Sequence, residues 1–167
     1  MSAARWIVLA LAIALVGTGL GQLQGAQSVV EITRTETGST PVSVYRQPGM
    51  GAAPAVVIAH GFAGSRQLMQ SYALTLAQAG YIAVSFDFLG HGRHPDPMTG
   101  DLETGTGATQ ILMNQTAEVI NFALSLDDVD GRVALLGHSM ATDIIVRQAA
   151  RDRRVNTVVA ISMFSQA

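Results

Sequence analysis

The chain has no cysteine. A disulfide framework, a thiolate zinc site, an iron–sulfur cluster and a cysteine nucleophile are therefore excluded, and cysteine usage says nothing about the redox compartment. Charge is scarce too: Asp, Glu, Lys and Arg make up 13% of the 167 residues, where about 25% is usual for a soluble domain. Neither sign dominates. With 12 acidic against 10 basic residues the formal charge is −2, so the basic excess of a nucleic-acid-binding surface is missing and small or neutral partners are favoured. Histidine occurs at His60, His91, His94 and His138, and no acidic residue precedes Glu31. What the chain has in plenty is hydrophobic residues, at 49%, which excludes a disordered or solvating chain. The length suits one modest domain, with part of it available for targeting.

The first 26 residues read as that targeting segment. Trp6–Leu20 (WIVLALAIALVGTGL) is an unbroken run of apolar and small residues behind a leader whose only charge is Arg5. A membrane-crossing helix needs about 20 such residues and a signal-peptide core about 7 to 15, so the run sits at the boundary between the two, and both readings export the rest of the chain. Gly19 and Gly21 suit signal cleavage, whereas Gln24 does not suit cleavage at Ala26–Gln27. Arg5 favours an inside N-terminus with the remainder outside. The run Gly17–Gly21 is no dinucleotide fingerprint, because the third glycine of GxGxxG would fall on Gln22.

Residues 27–167 alternate strand-like and helix-like patterns and predict an α/β fold, a mainly parallel sheet with helices on both faces behind an N-terminal hairpin. Ser28–Thr35 and Val42–Arg46 alternate apolar and polar positions about Gly38-Ser39-Thr40-Pro41, as a hairpin with one solvated face does. Ala55–Ala59, Tyr81–Phe86, Val133–Leu136 and Val155–Phe164 are continuously apolar and predict buried strands. Between them fall helices. The first is capped by Ser65, carries the stripe Leu68, Met69, Tyr72, Leu76 and Ala79, and stops at Gly80; the others run over Ile111–Leu126 and Met140–Arg151. A loop rich in Gly, Pro and His joins Asp87 to about Gly107, long enough to be functional, and Asp127–Gly131 reads as a turn.

Two segments carry chemistry. Leu135-Leu136-Gly137-His138-Ser139-Met140-Ala141 is an apolar strand, a G-x-S-x-A turn and a helix start. A serine hydroxyl is a weak nucleophile that must be held exposed beside a base at a strained turn, and this layout also turns the Met140 backbone N–H toward a developing oxyanion. The second segment, His60-Gly61-Phe62-Ala63-Gly64-Ser65, leaves the preceding buried strand. Its glycines let a backbone N–H, that of Phe62, approach a substrate opposite the serine. His60 reads as a hydrogen-bonding scaffold residue at this strand exit, and His60, Gly61 and His138 as neighbours of the substrate.

These segments resemble the α/β-hydrolase family. AHGFAGS is similar to the family's oxyanion loop, FDFLGHG to its D-x-x-G-H-G loop and LLGHSMA to its nucleophile elbow, with order and spacing agreeing from about Val29 to Phe164. The resemblance implies Ser139 as nucleophile, the amides of Phe62 and Met140 as oxyanion hole, and Asp87–Arg93 bordering the pocket. Ala141 departs from it, since the family more often has glycine there. A larger departure is the missing base: the family's triad runs Ser, Asp or Glu, then His, and no histidine follows Ser139. Asp143 and Asp152 lie too soon after the serine to be the family's acid.

The remaining polar clusters read as surface. His91-Gly92-Arg93-His94 with Asp96 lacks a third strong metal ligand, and Arg151-Asp152-Arg153-Arg154 is a helix end. A greasy final strand left as a sheet edge would be unusual, so the expectation is the N-terminal part of a longer exported, membrane-anchored serine hydrolase. Its substrate would be a small ester or related acyl compound, with neither metal nor organic cofactor, and the part in hand would be inactive. The alternative is an inactive membrane-tethered binding or scaffold protein with the same fold. Substrate identity and oligomeric state are not legible.

Overall fold

The alternation of apolar runs and helical stripes folds into one six-stranded sheet in a computed structural model that describes residues 3–99 and 106–163. In chain order the elements are α1 (Ala3–Ser28), β1 (Glu31–Thr37), β2 (Thr40–Arg46), β3 (Ala53–Ala59), α2 (Gln70–Gln78), β4 (Ile82–Phe86), α3 (Thr106–Leu124), β5 (Val129–His138), α4 (Met140–Arg151) and β6 (Val155–Ile161). Across the sheet the order is β1-β2-β4-β3-β5-β6. β1 and β2 pair antiparallel, as do β2 and β4, whereas β3 pairs in parallel with β4 and β5, and β5 with β6. The α/β fold with a mainly parallel sheet is thus as the sequence predicts.

Successive side chains of a strand point to opposite faces, so each apolar run feeds two cores. Val57 and Leu135 join Leu112 and Ile120 of α3 and Ile144 and Ile145 of α4. Val56, Ile58 and Leu136 face the other way, onto Met69 and Ala73 and Ala77 of α2. Helices therefore cover both faces. Burying a side chain such as Ile58 or Leu135, both fully enclosed, contributes roughly 1.5–3 kcal/mol.

Four local expectations are corrected. The hairpin turns at Gly38-Ser39, with Gly38 at φ 57°; edge strand β1 is exposed along most of its length while β2, flanked by β1 and β4, is almost wholly buried. Ser65 does not cap α2. It opens a turn through Leu68, and the buried stripe is Met69, Ala73 and Ala77, with Leu68 at 70% exposure. Asp130-Gly131 lies inside β5, where the register against β3 slips and Gly131 takes φ 88°, so a turn-like sequence makes a bulge. β6 pairs with β5 alone among the described residues, and Val159 is 44% exposed despite the strand's apolar composition. Phe164 lies outside the described residues.

α1 stands apart from the sheet. Its described side chains, Trp6, Leu11 and Leu15 among them, are exposed on every side. Ala4–Gln22 is a 19-residue stretch of mean hydropathy 1.8, long and apolar enough to cross a membrane; at 1.5 Å per residue it approaches the roughly 30 Å of a hydrocarbon core.

Candidate active site

β5 delivers Ser139 to the sheet's C-terminal edge, and α4 begins at the next residue. Ser139 takes φ 55° and ψ −120°, a region that costs an L-residue on the order of 1–3 kcal/mol and persists only where its surroundings impose it. The surroundings are specific. Its N–H donates to the Ile161 carbonyl at 2.9 Å, and its carbonyl accepts from the Thr142 N–H at 2.9 Å and the Thr142 hydroxyl at 2.7 Å. Gly137 is obligatory: a Cβ there would meet Ile145 Cδ1 at 2.8 Å and the Ala141 carbonyl oxygen at 2.9 Å. Ala141 itself is fully buried in the core, its methyl group accommodated.

The strand exit after β3 passes directly over this elbow, since a Cβ on Gly61 would lie 3.0 Å from Ser139 Cβ. The Gly61 carbonyl is held from two sides, by His60 Nδ1–H at 2.8 Å and the Gly64 N–H at 3.0 Å. In a planar trans peptide the carbonyl and the following N–H point in opposite directions, so fixing this carbonyl also fixes the Phe62 N–H. That N–H has no partner among the described residues. The Met140 N–H, first in α4, has no intrahelical acceptor. Two open backbone donors thus flank the serine, from the two segments singled out in the sequence.

His60 is part of the frame behind these donors. It is 1% exposed, and Nε2 accepts the Phe88 N–H at 3.1 Å while Nδ1–H donates to Gly61, so both ring nitrogens are spoken for. Burial is the main force lowering its pKa below 6.5, with the Gly61 carbonyl opposing. Neither His60 nor Gly61 nor His138 lines the pocket in front of Ser139. His138 instead lies against the strand exit, its Nδ1 3.2 Å from where a Cβ on Gly61 would be.

The loop after β4 is anchored through Asp87, with Arg66 and Gln115, which no sequence motif marks, as its partners. Asp87, fully buried, accepts the Arg66 N–H at 2.7 Å, Arg66 Nη1 at 2.9 Å and the Arg93 N–H at 3.0 Å. One carboxylate thereby ties the loop after β3 to the D-x-x-G-H-G loop. Gly92 gives it room, since a Cβ there would collide with Asp87 Oδ1. Gln115 of α3 adds bonds to the Leu89 N–H, the Asp87 carbonyl and Thr40 Oγ1. Of the stretch Asp87–Arg93, Gly90 and His91 reach the pocket and Asp87 is inside the core. His94 is not solvated as a loop histidine would be: its side chain is 1% exposed, between Thr40 and the Asp96 N–H. No cluster of three or more His, Asp or Glu able to hold a metal occurs among the described residues.

In front of Ser139 opens a pocket of about 580 Å³. Ser139, Phe62, His91, Met98, Leu112, Met140 and Ile144 are among the residues that line it. Asp143 lies on its wall and pairs with Arg147 at 2.8 Å, one turn along α4, while Asp152 pairs with Arg154 at 2.7 Å. Among the described residues no histidine is hydrogen-bonded to Ser139.

Comparison with known proteins agrees with this fold. Two Escherichia coli proteins, each described as an uncharacterized 31.7 kDa protein in the traX-finO intergenic region, are 29% and 28% identical over 114 residues, covering 67% of this chain. The chain spans 38% of the length of these curated relatives. Among solved structures, a hypothetical protein of Pseudomonas aeruginosa superposes with TM-score 0.68 at 22% identity over 81% of this chain and 44% of its own. An epoxide hydrolase of Vigna radiata gives 0.61 at 22% identity over 83% and 42%. The family described as serine aminopeptidase, S33, matches residues 51–166, the stretch that contains β3, both site loops and the elbow; the chain belongs to this family of α/β-hydrolases.

Proposed function

We propose that the chain carries the nucleophile and oxyanion hole of an exported, membrane-tethered serine hydrolase acting on a carboxylic ester or related acyl bond. The observation that carries this reading is the left-handed Ser139 elbow at the mouth of a pocket, beside the open N–H groups of Phe62 and Met140. In the reaction, Ser139 Oγ forms a bond to the substrate carbonyl carbon as its proton passes to a general base. The carbonyl electrons collect on an oxygen held by the two amides, and the alcohol or amine leaves with the base's proton. Water, deprotonated by the same base, then releases the acid and restores Ser139. The base and its acid partner are assigned to a part of the α/β-hydrolase fold that these residues do not include, in keeping with the 38% of the relatives' length that the chain spans. Residues 1–26 serve as signal or anchor, an assignment supported by the exposed apolar length of α1.

A second reading, an inactive tethered binding or scaffold protein, is favoured by one observation: no histidine is bonded to Ser139 among the described residues. Residues 27–167 alone are expected to show negligible turnover, because loss of the base leaves only binding and oxyanion stabilisation. Ser139-dependent ester hydrolysis by that segment contradicts the assignment of the base elsewhere. In the whole protein the two readings separate by turnover of 4-nitrophenyl esters that Ser139→Ala abolishes.

A further inference from the structure

His91 is held on the pocket lining more firmly than a solvated loop histidine would be. Its backbone is turned on both sides by left-handed glycines, Gly90 at φ 71° and Gly92 at φ 57°. Neither has room for a side chain: a Cβ on Gly90 would lie 2.7 Å from the Met98 backbone nitrogen, and one on Gly92 would strike Asp87. The His91 N–H donates to the Phe88 carbonyl at 2.9 Å, and the Gly90 N–H to the Asp96 carbonyl at 3.0 Å. The ring stands at 78° to that of Phe62, centroids 5.7 Å apart, and is tilted against His60 at 5.4 Å. Phe62 follows Gly61, whose backbone passes over the elbow, so the imidazole stands beside the segment that carries one of the two open amides.

The same fixing decides which ring nitrogen carries the proton. A carbonyl oxygen only accepts, so His91 Nδ1, 2.8 Å from the Leu89 carbonyl, is the N–H, and Nε2 of the neutral ring keeps its lone pair. Nε2 lies on the far side of the ring from Leu89 and has no partner among the described residues. The other polar side chains that line the pocket with Ser139 are engaged with protein. The Thr142 hydroxyl donates to the Ser139 carbonyl, the Asp143 carboxylate receives Arg147 Nε on both oxygens, and Thr109 is not free. The open backbone amides recognise an oxygen. His91 Nε2, an acceptor, recognises a hydrogen.

We propose that His91 Nε2 determines specificity by accepting a hydrogen bond from a hydroxyl or amide N–H that the substrate carries close to its reacting carbonyl, on the acyl or the leaving side. Esters that bear such a donor are then preferred over counterparts in which it is methylated. The proposal rests on Ser139 as the nucleophile and adds a feature of the substrate class. One neutral hydrogen bond discriminates about two- to tenfold.

The test uses the whole protein and two matched pairs of esters, with kcat/KM read from acid release. Ethyl 3-hydroxybutanoate against ethyl 3-methoxybutanoate places the donor on the acyl side; 2-hydroxyethyl butanoate against 2-methoxyethyl butanoate places it on the leaving side. The hydroxy ester is expected to lead by about fivefold in one pair, which names the side. His91→Phe, which keeps a ring against Phe62 but has no Nε2, is expected to bring that ratio below about twofold. His91→Gln, whose amide oxygen can take the place of Nε2, is expected to keep at least half of it. A merely structural His91 slows both members of a pair alike and leaves the ratio unmoved. Equal rates within both pairs in the wild type, zero included, overturn the proposal without recourse to any variant, and so does a preference that survives His91→Phe. In either case fluorophosphonate labelling of Ser139 leaves the nucleophile standing. Absence of that label overturns the nucleophile reading and the proposal with it.

Discussion

At the residue scale, the elbow and the buried pair behind it carry the sharpest expectations. Gly137→Ala places a methyl group 2.9 Å from the Ala141 carbonyl oxygen, which is backbone and cannot step aside cheaply; overpacking of this kind costs about 1–3 kcal/mol, readable as a lowered thermal midpoint. Asp87→Asn leaves Arg66 buried with no charged partner. Breaking a buried pair in this way costs about 3–5 kcal/mol, and a denaturation midpoint unchanged from wild type contradicts the anchoring role. His60 gives a pH dependence. Its folded pKa lies below 6.5, so the unfolded chain binds more protons as the pH drops through 6.5. The stability held by neutral His60 is therefore complete above that value and is lost as the pH falls through 6.5 toward the lower folded pKa. Urea midpoints at pH 7.5 and 5.0 should differ more for wild type than for His60→Asn. The elbow residues were legible in the sequence because strand, turn and helix are contiguous there. Arg66 and Gln115 were not, because their partners are 21 and 28 residues away along the chain, and no local pattern marks such contacts.

At the element scale, the central strands and α4 could be read directly, since a continuous apolar run bounded by glycine has few other ways to be buried. The boundaries that moved did so for local reasons. α3 begins at Thr106 although glycine at 105 and 107 reads as loop; Ala108 is buried and Leu112 enters the core. α2 turned its stripe by one step: small Ala73 and Ala77 let the helix lie close to the sheet, while the larger Leu68 stayed outside. α1 has the opposite character, with no polar face and no buried one. Two arginines in its centre, Leu11→Arg with Leu15→Arg, are expected to abolish membrane or export fractionation in cells. Insertion of charge at a span's centre is unfavourable by about 2.5–3.5 kcal/mol per residue. The melting temperature of the sheet domain, which α1 does not pack against, should stay within a degree or two; a large drop would mean that α1 is part of the core.

At the scale of the whole molecule, the sheet brings together at one edge two loops that are far apart in sequence, and the site exists only in their meeting. β3 and β5 are parallel neighbours, so their C-terminal exits, Gly61 and Ser139, arrive side by side, and His60 and Asp87 fix the loops beyond them. The measurement that bears most directly on this site is fluorophosphonate labelling of the whole protein at neutral pH, with the modified residue located by mass spectrometry. A nucleophilic elbow predicts a phosphonyl group on Ser139 in wild type and none in Ser139→Ala. Equal labelling of the two proteins, or a modified residue elsewhere, would contradict it.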